Sequence, residues 1–281
     1  MLKDFFSNLR QRRKVIDADA SLLAFPRCGL NRLRDLLWNF MVIQYKLQAK
    51  RRGDFMELWK LDKSRVPRLA LGNDEEPHTK FPDEIRLDKV AHEGKKVIFL
   101  SRDPRNVIAS LFYRRSRRGY IDSNYYWGTL SDFIREGEGS FETLLTYYAS
   151  WAAPDRVKIY HLSYESLHED PAGKLMDIAK FLGISKPSEE ACQRAVVQTP
   201  AFGESSETTP SIPRKSAYLE PEIPTEGSDS EKDEDSPKEP YLREFNETDL
   251  LWLRAQMDAF LPPEYPFYKN DPEEGTPKND G

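Results

Sequence analysis

Short apolar runs with polar flanks occur at three places, residues 21–25 (SLLAF), 96–100 (KVIFL) and 157–162 (VKIYHL). Runs of that length predict strands buried on both faces, as in a parallel sheet. A weaker run over 68–71 predicts a fourth. Between them the period of the apolar positions changes. Leu30, Leu33, Leu37, Phe40, Met41 and Leu47 recur at three- and four-residue steps, as do Val107, Ile108, Leu111 and Phe112. That spacing predicts helices. Another helix over 141–151 would turn Leu144, Leu145, Tyr148 and Trp151 to the core, and one through Leu175, Ile178, Ala179 and Leu182 would end at Gly183. Asn246 can cap a last helix carrying Leu250, Leu253, Met257 and Phe260, which Pro262-Pro263 stops. Strands alternating with helices imply right-handed crossovers and a mainly parallel sheet. No internal repeat is visible.

Composition narrows the class. Of 281 residues, 38% are apolar and 32% charged, enough to bury a core, which excludes wholesale disorder. No run approaches the roughly 18 consecutive apolar residues of a membrane span. The N-terminal MLKDFFSNLRQRRK is basic without an apolar stretch, so it is not read as a secretory signal. Two cysteines, Cys28 and Cys192, form no disulfide framework and lack zinc-ligand spacing. The expected compartment is the reducing cytoplasm.

The net charge of −5 is unevenly spread. Nine acids and two lysines fall within 219–240, a Pro-, Ser- and Glu-rich segment read as a mobile acidic insertion. Residues 269–281 are read as a disordered tail. Between Arg102 and Arg118 six arginines stand against one aspartate. An acidic chain that concentrates arginine there points to an anionic ligand or partner.

Two segments could hold such an anion. The strand over 21–25 leads into Pro26-Arg27-Cys28-Gly29-Leu30-Asn31-Arg32, and a helix follows at once. Such a turn sits at the carboxyl end of a parallel strand, where backbone N–H groups and a helix N-terminus face a ligand. Gly29 permits close backbone approach and Arg27 supplies charge, though a plain turn with a surface arginine fits equally well. The GxxxxGK[ST] pattern is absent, which argues against a nucleotide kinase. The second segment is Val97-Ile98-Phe99-Leu100-Ser101-Arg102-Asp103-Pro104-Arg105, continuing to Ser110. Arg102 ends a strand, Asp103 suits an N-cap, Pro104 suits the first turn, and Ser110 follows two turns on. A guanidinium and a hydroxyl can then converge on one anion at the sheet's carboxyl edge.

Both segments resemble those of the PAPS-dependent sulfotransferase family, PAPS being 3′-phosphoadenosine 5′-phosphosulfate. The first is similar to the family's 5′-phosphosulfate loop, close to Tyr-Pro-Lys/Arg-Ser-Gly-Thr/Asn-Thr-Trp. Pro26, Arg27 and Gly29 match, while Cys28, Leu30, Asn31 and Arg32 depart and remove hydroxyl donors. The second is similar, nearly residue for residue, to the 3′-phosphate motif RxPRxxxxS, implying Arg102 and Ser110 as ligands of that phosphate. Tyr160 to Pro171, with Phe181-Leu182-Gly183, resembles the strand-YEDL-DP-helix-FLG block. That match implies Tyr164 against the adenine; on the residue alone, a core tyrosine fits as well. Arg214-Lys215-Ser216 resembles the Arg-Lys-Gly loop over the 3′-phosphate, with Ser in place of Gly. Arg243-Glu244-Phe245-Asn246 and the final helix resemble the family's ending.

The resemblance implies an α/β fold, a three-layer arrangement like that of P-loop NTPases with a central mainly parallel sheet flanked by helices. It implies one domain over 15–268 that moves a sulfuryl group from PAPS to a hydroxyl or amine of a small-molecule or glycan acceptor. Arg27, Cys28, Gly29, Leu30, Asn31, Arg32, Arg102, Ser110, Tyr164, Arg214, Lys215 and Ser216 would bind the nucleotide, and no metal is implied. Arg27 would also stabilise the departing phosphate. Many relatives carry a histidine as base where this chain has Asn73, which cannot act as one, so Asp74, Glu75 or His78 must substitute; His78 also suits a plain loop role. Otherwise the chain is a non-catalytic relative that binds 3′-phosphoadenosine nucleotides or a partner. Tyr120, Tyr125, Tyr126 and Trp127 either line an acceptor pocket or pack on the helix over 141–151. Arg114, Arg115, Arg117 and Arg118 either grip an anionic acceptor or form a solvated helix end. Nucleic acid is not expected as a partner, because the chain is net acidic and its basic run abuts a nucleotide motif. No membrane partner is expected, and the sequence leaves the oligomeric state open.

Overall fold

The computed structural model describes residues 17–118, 126–200 and 245–265. Tyr120, Tyr125, Arg214, Lys215, Ser216, Arg243 and Glu244 lie outside the described residues, as do the acidic segment 219–240 and the tail 269–281.

Four strands form one sheet: β1 (Ala20–Ala24), β2 (Leu69–Gly72), β3 (Lys96–Ser101) and β4 (Lys158–Ser163). Their order is β2-β1-β3-β4 and every pairing is parallel. All four expected strands are present, each within a residue of its apolar run. β1 is buried along its whole length and β3 along nearly all of it, whereas the edge strand β4 is largely half-buried. Central position explains the near-continuous apolar character of the first two.

The connection from β1 to β2 carries helices α1 (Leu30–Tyr45) and α2 (Phe55–Leu61). That from β3 to β4 carries α3 (Pro104–Tyr113), a π-helical turn (Arg114–Arg118), α4 (Leu130–Arg135) and α5 (Phe141–Ala152). After β4 come α6 (Tyr164–Glu169), α7 (Pro171–Leu182), α8 (Glu189–Gln198) and α9 (Glu247–Phe260). The first connection steps across the sheet one way and the second the other, so right-handed crossovers place them on opposite faces. Packing agrees: α8 lies against α1 and α7, while α5 lies against α3, α4, α9 and the short 3₁₀ turns of the β2–β3 connection. The result is a three-layer α/β sandwich. Phe99 of β3 centres one layer, with ring centroids 5.7, 5.8 and 5.9 Å from Tyr147, Tyr148 and Trp151 of α5.

The element ends follow local chemistry. Gly183 closes α7 at φ 85°, a left-handed position that suits glycine. Asn246 caps α9, accepting from the Asp249 N–H at 2.8 Å. The first helix stops at Tyr45, with Lys46 left-handed, so Leu47 packs on the core from beyond its end. Of the aromatic patch, Tyr126 packs on Phe112 and Phe133, while Trp127 is exposed. Among the described residues, no helix is long and apolar enough to cross a membrane. Because β1 and β3 send their chains to opposite faces, a crevice opens between their carboxyl ends, the usual ligand position in such sheets.

Candidate active site

Strand register decides what meets in that crevice. Ala24 pairs with Leu100, and Ser101 with Ser163. The residues that follow (the 25–29 loop, Arg102 and Tyr164) therefore emerge side by side. Within the loop Arg27 and Gly29 are both left-handed, at φ 77° and 86°. A Cβ on Gly29 would lie 2.5 Å from Cδ2 of Tyr164, so this position accepts only glycine. No side chain caps α1, which leaves the helix's positive N-terminal end turned toward the crevice.

Arg27 Nε donates to Ser110 Oγ at 2.7 Å, joining the first loop to α3. Arg102, 3% exposed, donates from Nη1 to the Arg27 carbonyl at 3.3 Å and lies 4.4 Å from the centre of the Tyr164 ring. Tyr148 ties these pieces from below: its hydroxyl donates to the Arg102 carbonyl at 2.9 Å and accepts from the Arg102 N–H at 3.0 Å. The same hydroxyl lies 3.3 Å from Cys28 Sγ. Burial pushes the Cys28 thiol up to about 12, so it is a neutral packing group rather than a nucleophile. Arg105 pairs with Asp103 at 2.8 Å, and the Asp103 N–H donates to Glu165 Oε1 at 2.8 Å. Glu165 Oε2 is buried without a partner, and burial raises this carboxyl to about 7.

Arg27, Cys28, Gly29, Arg102, Ser110 and Tyr164 thus come together. The other loop residues diverge. Leu30 packs on the core, Asn31 is exposed and accepts from Arg34, and Arg32 turns away to the Pro200 carbonyl at the end of α8. Tyr164 is 2% exposed, with Gly29 and Arg102 against its ring.

A second group follows β2. Asn73 Oδ1 accepts from the Glu76 N–H at 3.4 Å and starts a turn in which Asp74, Glu75 and Glu76 are all left-handed. Asp74 pairs with Lys89 at 2.9 Å, and Glu75 with Lys80 and Arg86 at 3.1 Å each. Lys89 is buried; its ammonium also donates to the Arg86 carbonyl at 2.6 Å and lies 4.5 Å from the Trp151 ring centre. His78 lies beside the π-helical turn. Burial and the fields of Arg115 and Arg114 push it down to about 4, and its Nδ1 is buried without a hydrogen-bond partner. Three contributors escaped the sequence reading. Lys89 carries no motif or period that marks it, Tyr148 read as core alone, and Glu165, inside the YEDL-like block, received no role.

Chemically, the carboxyl ends of β1 and β3 gather two guanidiniums, a hydroxyl and a helix N-terminus, Arg102 and Ser110 being buried, and such groups suit an anion; a neutral imidazole lies in the β2–β3 connection. Comparison with known proteins identifies the family. The family model described as "Sulfotransferase domain" matches residues 3–211. Sulfotransferase 2A1 of Homo sapiens is 24% identical over 189 residues, 65% of this chain and 65% of that protein. Sulfotransferase 2B1 of Mus musculus is 29% identical over 126 residues, 43% of this chain and 36% of that one. The chain therefore aligns with about two thirds of the first of these relatives and about a third of the second. Among solved structures, mouse sulfotransferase SULT7A1 complexed with PAP superposes with a TM-score of 0.45 at 16% identity, covering 68% of this chain and 69% of that one. A family match running from residue 3 to residue 211 takes in both motif loops and all four strand ends, and the chain belongs to the sulfotransferase domain family.

Proposed function

We propose that the protein moves a sulfuryl group from PAPS to a hydroxyl or amine of a small-molecule or glycan acceptor. The observation that carries this is the meeting of Arg27, Ser110 and Arg102 at the carboxyl ends of β1 and β3. The residues fit the nucleotide: a glycine cradle closed to any Cβ, an uncapped helix N-terminus and two arginines suit phosphate. The bound nucleotide supplies the activated sulfuryl group. Ser110 and Arg102 hold its 3′-phosphate, and Arg27 stabilises the charge left on the 5′-phosphate oxygen when the S–O bond breaks. Asp74 and Glu75 are engaged in ion pairs, whereas His78 is neutral above about pH 4. His78 accordingly accepts the proton of the acceptor hydroxyl as the new O–S bond forms. Arg214, Lys215 and Ser216 complete the nucleotide contacts in this reading, and residues 15–268 form one domain. The free, buried thiols of Cys28 and Cys192 support a cytoplasmic setting.

A second reading, nucleotide binding without turnover, rests on Asn73 standing where relatives carry a base and on the ion pairs that occupy Asp74 and Glu75. Calorimetric titration with 3′-phosphoadenosine 5′-phosphate (PAP), against AMP, tests the site; transfer of labelled sulfate from PAPS tests turnover. PAP should bind at least tenfold more tightly than AMP, and Arg102→Ala should erase that preference. A protein that treats PAP and AMP alike would refute the site assignment. Preference for PAP without transfer to any phenol, alcohol, amine or glycan would favour the second reading.

A further inference from the structure

We propose that Glu165 is a positioning residue of the nucleotide site, and that its carboxyl takes up a proton from solution when the 3′-phosphate settles at Arg102. This rests on the sulfuryl-transfer reading above and adds to it a control of the same site by pH.

The geometry begins where β3 runs out of neighbours. Its last ladder pairs are Leu100 with Ala24 on one side and Ser101 with Ser163 on the other. Neither neighbouring strand continues, so the backbone at Arg102 and Asp103 must find partners elsewhere. Two side chains supply them. The Arg102 N–H donates to the Tyr148 hydroxyl at 3.0 Å, and the Asp103 N–H to Glu165 Oε1 at 2.8 Å. Tyr148 stands on α5 and Glu165 at the start of α6, so the bend is held by two different elements. Asp103 in turn caps α3, its carboxylate accepting from the Arg105 N–H at 2.9 Å. Glu165 therefore acts on both proposed ligands of the 3′-phosphate. Arg102 directly precedes the peptide group it holds, and Ser110 follows from where α3 starts.

The same carboxyl is placed to feel what Arg102 binds. Two charged groups act on it, Asp103 and Arg102. Asp103 is paired with Arg105 at 2.8 Å, whereas the Arg102 guanidinium donates to the Arg27 carbonyl and lies against the Tyr164 ring. The other titratable groups nearby are neutral. Burial raises the Cys28 thiol of the first loop to about 12, and lowers His168, one turn along α6, below its usual value. Glu165 Oε2 is buried without a hydrogen-bond partner, a poor setting for a full negative charge. Burial accordingly raises the carboxyl to about 7, so near neutral pH the free protein holds it in both forms. Ionised, it draws on the Arg102 field that a phosphate needs. A 3′-phosphate, doubly negative above about pH 6, repels that negative charge and favours the neutral carboxyl. Binding and proton uptake then form one linked equilibrium, in which affinity is full below pH 7 and falls as pH rises through 7.

Calorimetric titration of the full chain with PAP at pH 7 and at pH 8.5 reads this linkage. In that window the ligand's phosphates are already dianionic, and the four histidines, all held below 6.5, stay neutral. Wild-type affinity for PAP should fall at least threefold from pH 7 to 8.5, while affinity for AMP, which lacks the 3′-phosphate, should barely move. Glu165→Gln keeps an acceptor for the Asp103 N–H but cannot ionise, so its PAP affinity should be flat across the window. Glu165→Ala removes the acceptor and should bind PAP at least fivefold more weakly than Glu165→Gln at both pH values. Titrations at pH 7.5 in HEPES and in Tris, whose heats of ionisation differ, count protons: wild type should take up roughly half a proton more than Glu165→Gln. A merely structural carboxyl would change affinity equally at both pH values and leave the proton count alone. A flat wild-type profile, an equal fall in Glu165→Gln, or Glu165→Ala binding as tightly as Glu165→Gln overturns the inference. The wild-type profile decides even if a variant fails to fold. A wild-type protein that binds PAP no better than AMP at pH 7 overturns the sulfuryl-transfer reading, and the inference with it; PAP preference with a flat profile overturns the inference alone.

Discussion

Gly29 lies against the Tyr164 ring and Glu165 follows that tyrosine in the chain, and the two act by different means. At Gly29, φ 86° and a Tyr164 carbon 2.5 Å from a built Cβ exclude any side chain. Gly29→Ala should destabilise the fold by roughly 2–4 kcal/mol. Because the displaced ring also carries Arg102, PAP affinity should fall at least tenfold; thermal melts and titration check the two effects separately. Glu165 works through its proton. Its carboxyl is raised from 4.5 to about 7 in the fold, so between those values the folded chain binds a proton that the unfolded chain does not. Stability from this group is complete below 4.5 and lost as pH rises through 7. Replacement by Gln removes that loss, so Glu165→Gln should gain on the order of 3 kcal/mol more, relative to wild type, at pH 8 than at pH 4.5. Equal shifts at both pH values would sink the assignment. At this scale the sequence was partly legible. Arg27, Arg102 and Ser110 stood out because charge and hydroxyl types recur at phosphate sites. The direct Arg27–Ser110 bond and the Tyr148 tie depend on strand register, which no single residue displays.

The turn after β2 is the element least legible in advance and the one most dependent on ion pairs. Three successive non-glycine residues, Asp74, Glu75 and Glu76, hold φ of 51°, 71° and 54°, each a conformation costing about 1 kcal/mol. Asp74–Lys89 and the Glu75 pairs offset that strain. Lys89→Met should cost roughly 3 kcal/mol, because it leaves the Asp74 carboxylate half-buried without its cation. Adding Asp74→Asn should recover part of the loss, and chemical denaturation of the single and double variants measures the coupling. If Lys89→Met unfolds at the wild-type denaturant midpoint, the turn does not depend on this pair. The ion pairs of this turn are not visible in the sequence, since the partners lie five, eleven and fifteen residues away and share no period. The strands were far easier: five or six apolar residues between polar flanks suffice when both faces are covered. Their ends moved by a residue because ladder pairing, not hydrophobicity, sets where a strand stops.

At the scale of the whole molecule, acid should be the route to unfolding. His78 and His92 are held to about 4 in the fold, mainly by burial, against 6.5 in the unfolded chain. Between those values the unfolded chain binds two more protons at these sites, so stability is complete above 6.5 and falls as pH drops toward 4. Glu165 opposes this with one proton over part of the same window. The net slope should be about 1.4 kcal/mol per pH unit from 6.5 to 4.5. His161 and His168 shift the same way as the other two histidines and steepen it. A flat denaturation profile across that range would contradict the burial of both rings. The overall architecture was legible because alternation of strand and helix, with right-handed crossovers, leaves few sheet orders open. The placement of His78 against the arginine turn was not, since it depends on where the β2–β3 connection crosses beneath α5.

Strand order also has a consequence for how the protein is made. Both central strands find their partners far along the chain: Ala20 pairs with Lys96, and Lys96 in turn with Lys158. Few of these contacts are local, which puts refolding toward the slow end for a domain of this class, milliseconds to seconds or longer. During synthesis the Pro26–Gly29 loop leaves the ribosome well before Arg102 exists to lie against Tyr164. The nascent first quarter of the chain thus carries an apolar strand with two open edges until β2 and then β3 arrive, an interval in which unpaired edges favour aggregation.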